Sequence, residues 1–160
     1  MPEGQRRMRK FVQLGATVAI VAAITGLLPS APAFAASSRY KERHEMLVRT
    51  NQSRDAFGRS DVAINRHISK LVRRHSVWMA STGKFQHTKH PASDYLQGVP
   101  WHCWGENIAV SGGTMRDVQK AFMRSPEHKA NILNSCYRHV AIGVFRDAHG
   151  DAWVTVFFYG

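Results

Sequence analysis

The chain has 160 residues, 22 Lys and Arg against 11 Asp and Glu, a formal charge of +11, and 44% hydrophobic residues. That is length for one domain with a real hydrophobic core. The charge favours adsorption to acidic polymers, yet the basic residues are scattered apart from Arg73-Arg74 and form no arginine-rich tract, which argues against a specific nucleic-acid reader.

The first element is a leader. "RRMRK" at residues 6–10 carries four positive charges, and no charged residue follows from Phe11 to Ser38. The apolar run closes on Pro29 and on "APAFA", where Ala33 and Ala35 give a small-x-small ending. Basic start, apolar middle and small-residue end predict a secretory signal peptide over residues 1–35, cleaved after Ala35. An uncleaved anchor is the competing reading, since the stretch is just long enough to span a bilayer. The leader carries a net +3, leaving +8 on residues 36–160, the predicted mature domain. Secretion to the extracellular space, no transmembrane segment after cleavage, and a monomer are the expectations.

Residues 39–56 place Met46, Leu47, Val48 and Ala56 among charges and end at Gly58, which reads as a first helix. "DVAIN" is a short extended link. Asn65 is the N-cap of a second helix in which Ile68, Leu71, Val72, His75, Trp78 and Met79 recur at helical steps, stopped by Gly83. His75 on that face reads as a core histidine. Residues 84–102 are polar and irregular, a long surface connection of the kind that lines clefts. After "GENIAV" and "SGG", Thr114 with Asp117 forms a capping box for a third helix using Met115, Val118, Ala121 and Phe122. Ser125-Pro126 breaks it and starts a short fourth helix. "HVAIGVF" and "AWVTVFFY", joined by "RDAHGD", form an antiparallel hairpin at the centre of a small sheet. Helices first and strands last predict an α+β fold, an α-β-α sandwich.

The two cysteines, Cys103 and Cys136, allow one intramolecular disulfide, the expected state of an even pair in a secreted chain. Such a bridge closes a loop of about 33 residues and contributes roughly 3–4 kcal/mol in the chain-entropy model. Two buried thiols are the alternative. No Cys-x-x-Cys zinc spacing is present.

From Glu45 to Tyr159 the motifs follow a known order: "LVRTNQSRDAFG", "HISKLVRRHSVWMASTGKFQHT", "GENIA", "FMRSPEHKANIL" and "VAIGVF" with "AWVTVFF". Together they resemble the CAP superfamily, the SCP-like extracellular domain of cysteine-rich secretory, antigen 5 and pathogenesis-related proteins, in its compact bacterial branch. The resemblance implies a three-layer α-β-α sandwich with a cleft lined by histidines and acids. Carried over by position, these are His87 of "FQHT", Glu106 of "GENIA" and His128 of "SPEH". Phe122 stands where the family usually has Trp, and Glu127 where it has Gly. The second glutamate of animal and plant members falls near Ser125, and their second histidine has no counterpart in "AWVTVFF", so the resemblance does not supply four ligands.

Three uses of His87, Glu106 and His128 stay open. Two imidazoles and a carboxylate with water form a ligand set for a divalent metal such as zinc. The same trio suits general acid-base hydrolysis of a peptide or cell-wall substrate, with Glu106 as the base. Or Glu106 is the acceptor of a hydrogen-bonded knot without turnover. Ser111, Ser125 and Ser135 lack a nucleophile-elbow context. The expected partner is an apolar small molecule, lipid or sterol-like, or a cell-envelope component. Trp101, Trp104 and Trp153 read as core or cleft wall, and Asn107 and Asn131 as bonding backbone locally.

Overall fold

A computed structural model describes residues 31–160, with side chains from Tyr40 onward. Residues 1–30 of the predicted leader lie outside the described residues. Helix α1 spans Ala31–Asp55, α2 Arg66–Thr82, α3 Pro91–Tyr95, α4 Met115–Arg124 and α5 Pro126–Leu133. Strands are β1 Ala63–Ile64, β2 Trp104–Ser111, β3 His139–Arg146 and β4 Ala152–Tyr159, in the sheet order β1-β3-β4-β2.

The β3–β4 hairpin is central, as its β-branched and aromatic content requires. β2 pairs antiparallel with β4 and forms one edge; β1 pairs parallel with β3, so the sheet is mixed rather than wholly antiparallel. Period-two alternation then divides the side chains between two faces. Val140, Ile142, Val144, Val154, Val156 and Phe158 face a core closed by α1, α4 and α5. Ala141, Phe157 and Tyr159 face a second core with Ile68, Val72, Tyr95 and Leu96 of α2 and its following segment. The result is the expected three-layer α-β-α sandwich.

The helices start and stop where their sequence signals say. Asn65 Oδ1 accepts the amide of Ile68, Gly83 ends α2 at φ 67°, and Thr114 and Asp117 close a reciprocal capping box on α4. The buried faces differ in detail. On α2 the sheet-facing residues are Ile68, Ser69, Val72, Ser76 and Met79. His75 is not a core histidine: it is half-buried, its Nε2 lies 2.9 Å from Gln86 O and its ring stacks on Trp78. Ser76 Oγ bonds Gly143 O and Thr155 Oγ1, while Ser69 Oγ accepts the amide of Ile142, which β1 is too short to pair. On α4, Gln119 is buried and Ala121 exposed, because Gln119 reaches Ser53 of α1 at 2.8 Å.

Two close approaches define the geometry. A Cβ on Gly143 would stand 2.6 Å from Arg73 Cα, so only glycine lets α2 lie this near β3. Arg54, 1% exposed, donates to the carbonyls of Ser60, Ile132, Asn134 and Tyr137, which ties the end of α1 to the turn between α5 and β3. Cys103 and Cys136 are joined, linking the start of β2 to that same turn. Among the described residues no helix is long and apolar enough to cross a membrane.

Candidate functional site

β2 carries the chemistry because it alternates. Trp104, Glu106, Ile108 and Val110 share the face on the α2 side, and Gly105, Asn107 and Ala109 face α5. Glu106 lies opposite Phe157, and its side chain is 2% exposed. A buried carboxylate needs donors, and the segment after α2 supplies them. His87 Nδ1 is 2.9 Å from Oε1, the amide of Thr88 donates to Oε1 at 2.9 Å, and Thr88 Oγ1 donates to Oε2 at 2.7 Å.

The directions of these bonds follow from the acceptor. An ionised carboxylate only accepts, so Thr88 spends its hydroxyl proton on Glu106. Tyr95 Oη, 2.7 Å from Thr88 Oγ1, must then be the donor to it. By the same logic His87 carries a proton on Nδ1, on an imidazole that is 58% exposed. Burial pushes the Tyr95 phenol above its usual range, and the Glu106 carboxylate adds to the effect, so Tyr95 remains a donor. Its ring meets Phe157 edge-on at 5.0 Å, which fixes α3 over the knot. Thr88 and Tyr95 went unassigned in the sequence reading; the Thr of "FQHT" was the available signal, whereas nothing in "ASDYLQ" marks Tyr95.

The opposite face of β2 is locked to α5. Asn107 Nδ2 donates to His128 O at 3.0 Å, and Asn131 Nδ2 donates to Asn107 Oδ1 at 2.9 Å and Glu106 O at 3.2 Å. These asparagines bridge elements more than twenty residues apart, a correction to the local role expected of them. A Cβ on Gly105 would stand 2.6 Å from Asn131 Oδ1, so the glycine of "GENIA" makes room for this lock. Gly105, Glu106 and Asn107 thus divide the work: the first admits α5, the second faces the α2 side, and the third binds α5.

His128 belongs to this second layer. It is half-buried against the Phe122 ring, 4.9 Å between centroids. Burial lowers its pKa, the neighbouring His87 lowers it further, and Glu127 opposes both, so the imidazole is neutral at neutral pH. Its side chain makes no hydrogen bond to Glu106 among the described residues. The structure therefore joins His87 to Glu106 and leaves His128 beside them, across the edge strand.

Among the described residues no group of three or more His, Cys, Asp or Glu side chains is placed to hold a metal ion. Glu106 has both oxygens engaged by three donors, two on Oε1 and one on Oε2, which leaves about one acceptor position on Oε2. Trp101 and Trp104 are not core: they are 41% and 40% exposed, and Trp104, the first residue of β2, stacks on Phe157. Trp153 is half-buried and donates Nε1–H to Asp147. A separate groove of about 570 Å³ runs along α1 between Leu47, Val48, Asp55 and Arg59, away from the His87–Glu106 pair.

Residues 47–159 match the model of the CAP, cysteine-rich secretory protein family. The chain belongs to this family. A curated relative, the uncharacterized protein YkwD of Bacillus subtilis (strain 168), is 32% identical over 113 residues, covering 68% of this chain and 43% of that protein. The chain thus spans less than half of that relative. Among solved structures, an extracellular SCP-domain protein of Bacillus anthracis superposes with a TM-score of 0.70 at 21% identity, over 82% of this chain and 44% of its own. An outer surface protein of Borrelia burgdorferi gives 0.67 at 15% identity, over 74% and 92%. At these identities the structural likeness establishes the CAP fold alone, an extracellular-type domain found both within longer proteins and nearly by itself.

Proposed function

We propose that this protein is an exported CAP-domain binding module, taking an apolar or cell-envelope molecule at the surface formed by His87, Trp104 and their neighbours. The observation that carries the reading is the state of Glu106. A general base must reach the water it activates, and this carboxylate is 2% exposed with three of its roughly four acceptor positions filled. Its bonds hold His87 and Thr88 in place, and its burial leaves it little contact with solvent water. What faces solvent is the His87 imidazole and, stacked on the Phe157 that lies opposite Glu106, the exposed ring of Trp104, surface suited to an apolar body with one polar handle. Export is supported by the leader pattern and by a disulfide, the cross-link of oxidising compartments.

The test is equilibrium binding of a fluorescent sterol and a fluorescent fatty acid, run beside hydrolysis assays on peptide and cell-wall fragments. The reading requires saturable binding to one of the two probes, weakened at least tenfold by Trp104→Ala and by His87→Ala, with no turnover in any variant. Turnover that disappears in Glu106→Gln, in protein that remains folded, would establish the hydrolase instead.

A further inference from the structure

The basic residues that look scattered along the chain are ordered by the fold. Between Val62 and Ser93 there is no Asp or Glu, while six Lys and Arg and four His occur. This stretch is the α2 layer of the sandwich and its exit segment. Within α2, Arg66, Lys70 and Arg74 are all exposed and spaced by four, which aligns them on one side of the helix. At 1.5 Å per residue they form a row about 12 Å long with a step of about 6 Å. Among the described residues none of the three takes part in a salt bridge. Arg66 also borders a small cleft with Tyr40, Arg43 and His44 of α1, which lies beyond the N-terminal end of the row and outside it. The nearby acids of α1 are occupied elsewhere, Glu42 by Arg146 and Glu45 by Arg49.

Local stability does not account for the row. Cations at a helix N-terminus oppose the macrodipole, yet α2 begins with Arg66 and His67 and has no acid in its first turn. The outer face of α2 also lacks any of the exposed large hydrophobic side chains, which fall on other segments. A surface that inserts into a lipid layer needs apolar wedges, and one that binds single-stranded nucleic acid needs aromatic platforms for bases. A row of unpaired cations with neither suits a linear polyanion held through its backbone charge.

We infer that the exposed face of α2, through Arg66, Lys70 and Arg74, binds a linear phosphodiester polymer of the cell envelope. The choice of an envelope polymer rests on the extracellular reading above; the surface itself is independent of the His87–Glu106 site. Helix α4 provides an internal control, because Arg116, Lys120 and Arg124 repeat the same spacing on the opposite layer. There Asp117 lies against Arg116 and Lys120, and Glu127 follows shortly after the helix.

The experiment measures binding of the full protein to poly(glycerol phosphate), to phosphatidylglycerol vesicles and to a single-stranded oligodeoxynucleotide at matched phosphate concentration, from 50 to about 300 mM salt. The expected result is strongest binding to poly(glycerol phosphate), reduced at least about tenfold at low salt in R66Q/K70Q/R74Q. The slope of log K against log salt in that variant is expected to be shallower by about 2, from three contacts at about 0.7 each. R116Q/K120Q/R124Q, with the same loss of net charge, should bind within about threefold of the parent protein. Equal losses in both triple variants would reduce the effect to net charge and overturn the proposal. So would stronger binding to vesicles or to the oligonucleotide than to the polymer. Because sterol or fatty-acid binding is read separately, failure of the cleft reading leaves this result standing, and the reverse.

Discussion

Glu106→Gln and Glu106→Ala separate a structural carboxylate from a chemical one. In the native protein three donors converge on Glu106: His87 Nδ1–H, the Thr88 amide and the Thr88 hydroxyl. Hydrogen bonds to a charged group contribute about 1.5–3 kcal/mol each, neutral ones about 0.5–1.5. The glutamine carbonyl keeps the two bonds now made to Oε1 at reduced strength. Its amide nitrogen faces Thr88 Oγ1 and turns that hydroxyl into an acceptor, although Tyr95 already donates to it. Three weakened bonds and one hydroxyl proton without a partner cost about 2–3 kcal/mol. Alanine removes all the acceptors and leaves the Thr88 amide unpaired in a part-buried site, costing about 3–5 kcal/mol. Urea unfolding of the oxidised protein at pH 7 measures both. A glutamine variant as stable as the parent, or less stable than the alanine variant, would refute the bond directions assigned here.

Arg54→Met replaces a buried guanidinium that serves four carbonyls; loss of about 3–5 kcal/mol is expected, and Arg54→Lys should recover only a minor part because one ammonium cannot span them, as calorimetry would show. Gly143→Ala drives a methyl against the α2 backbone at Arg73 and should cost about 1–3 kcal/mol, seen as a lower urea midpoint with unchanged slope. For His128 the folded pKa is depressed, so the unfolded chain binds more protons between the folded pKa and the ordinary value of 6.5. Its contribution is therefore complete above pH 6.5 and is lost as pH falls through that window. His128→Gln should flatten the fall in stability below pH 6.5 relative to the parent.

The parts of the fold legible in the sequence were those written in periodicity and caps. Asn65, Gly83, Thr114 with Asp117, and Pro126 marked helix ends correctly, and the β-branched run of β3 and β4 marked the central hairpin. β2 was not legible as a strand, because its buried positions include Glu106 and Asn107, and only the completed sandwich gives those polar groups partners. For the same reason Ser69 and Ser76 took the sheet-facing positions on α2 expected of Leu71 and His75. In the site, His87 Nδ1 lies 2.9 Å from Glu106 Oε1, an approach that no sequence spacing determined. The place of His128 depends on which layer α5 joins, and sequence spacing carries no information about that.

The proposal that matters most is that Glu106 holds His87 by Nδ1 in a polar knot that serves binding, without turnover and without a metal. Long-range ¹⁵N–¹H spectra of the His87 ring, recorded at neutral pH without and then with zinc, test it most directly. The account predicts a proton on Nδ1 and no saturable zinc-dependent change shared by His87 and His128. An Nδ1 without a proton, or one zinc ion shifting both imidazoles together, would contradict it.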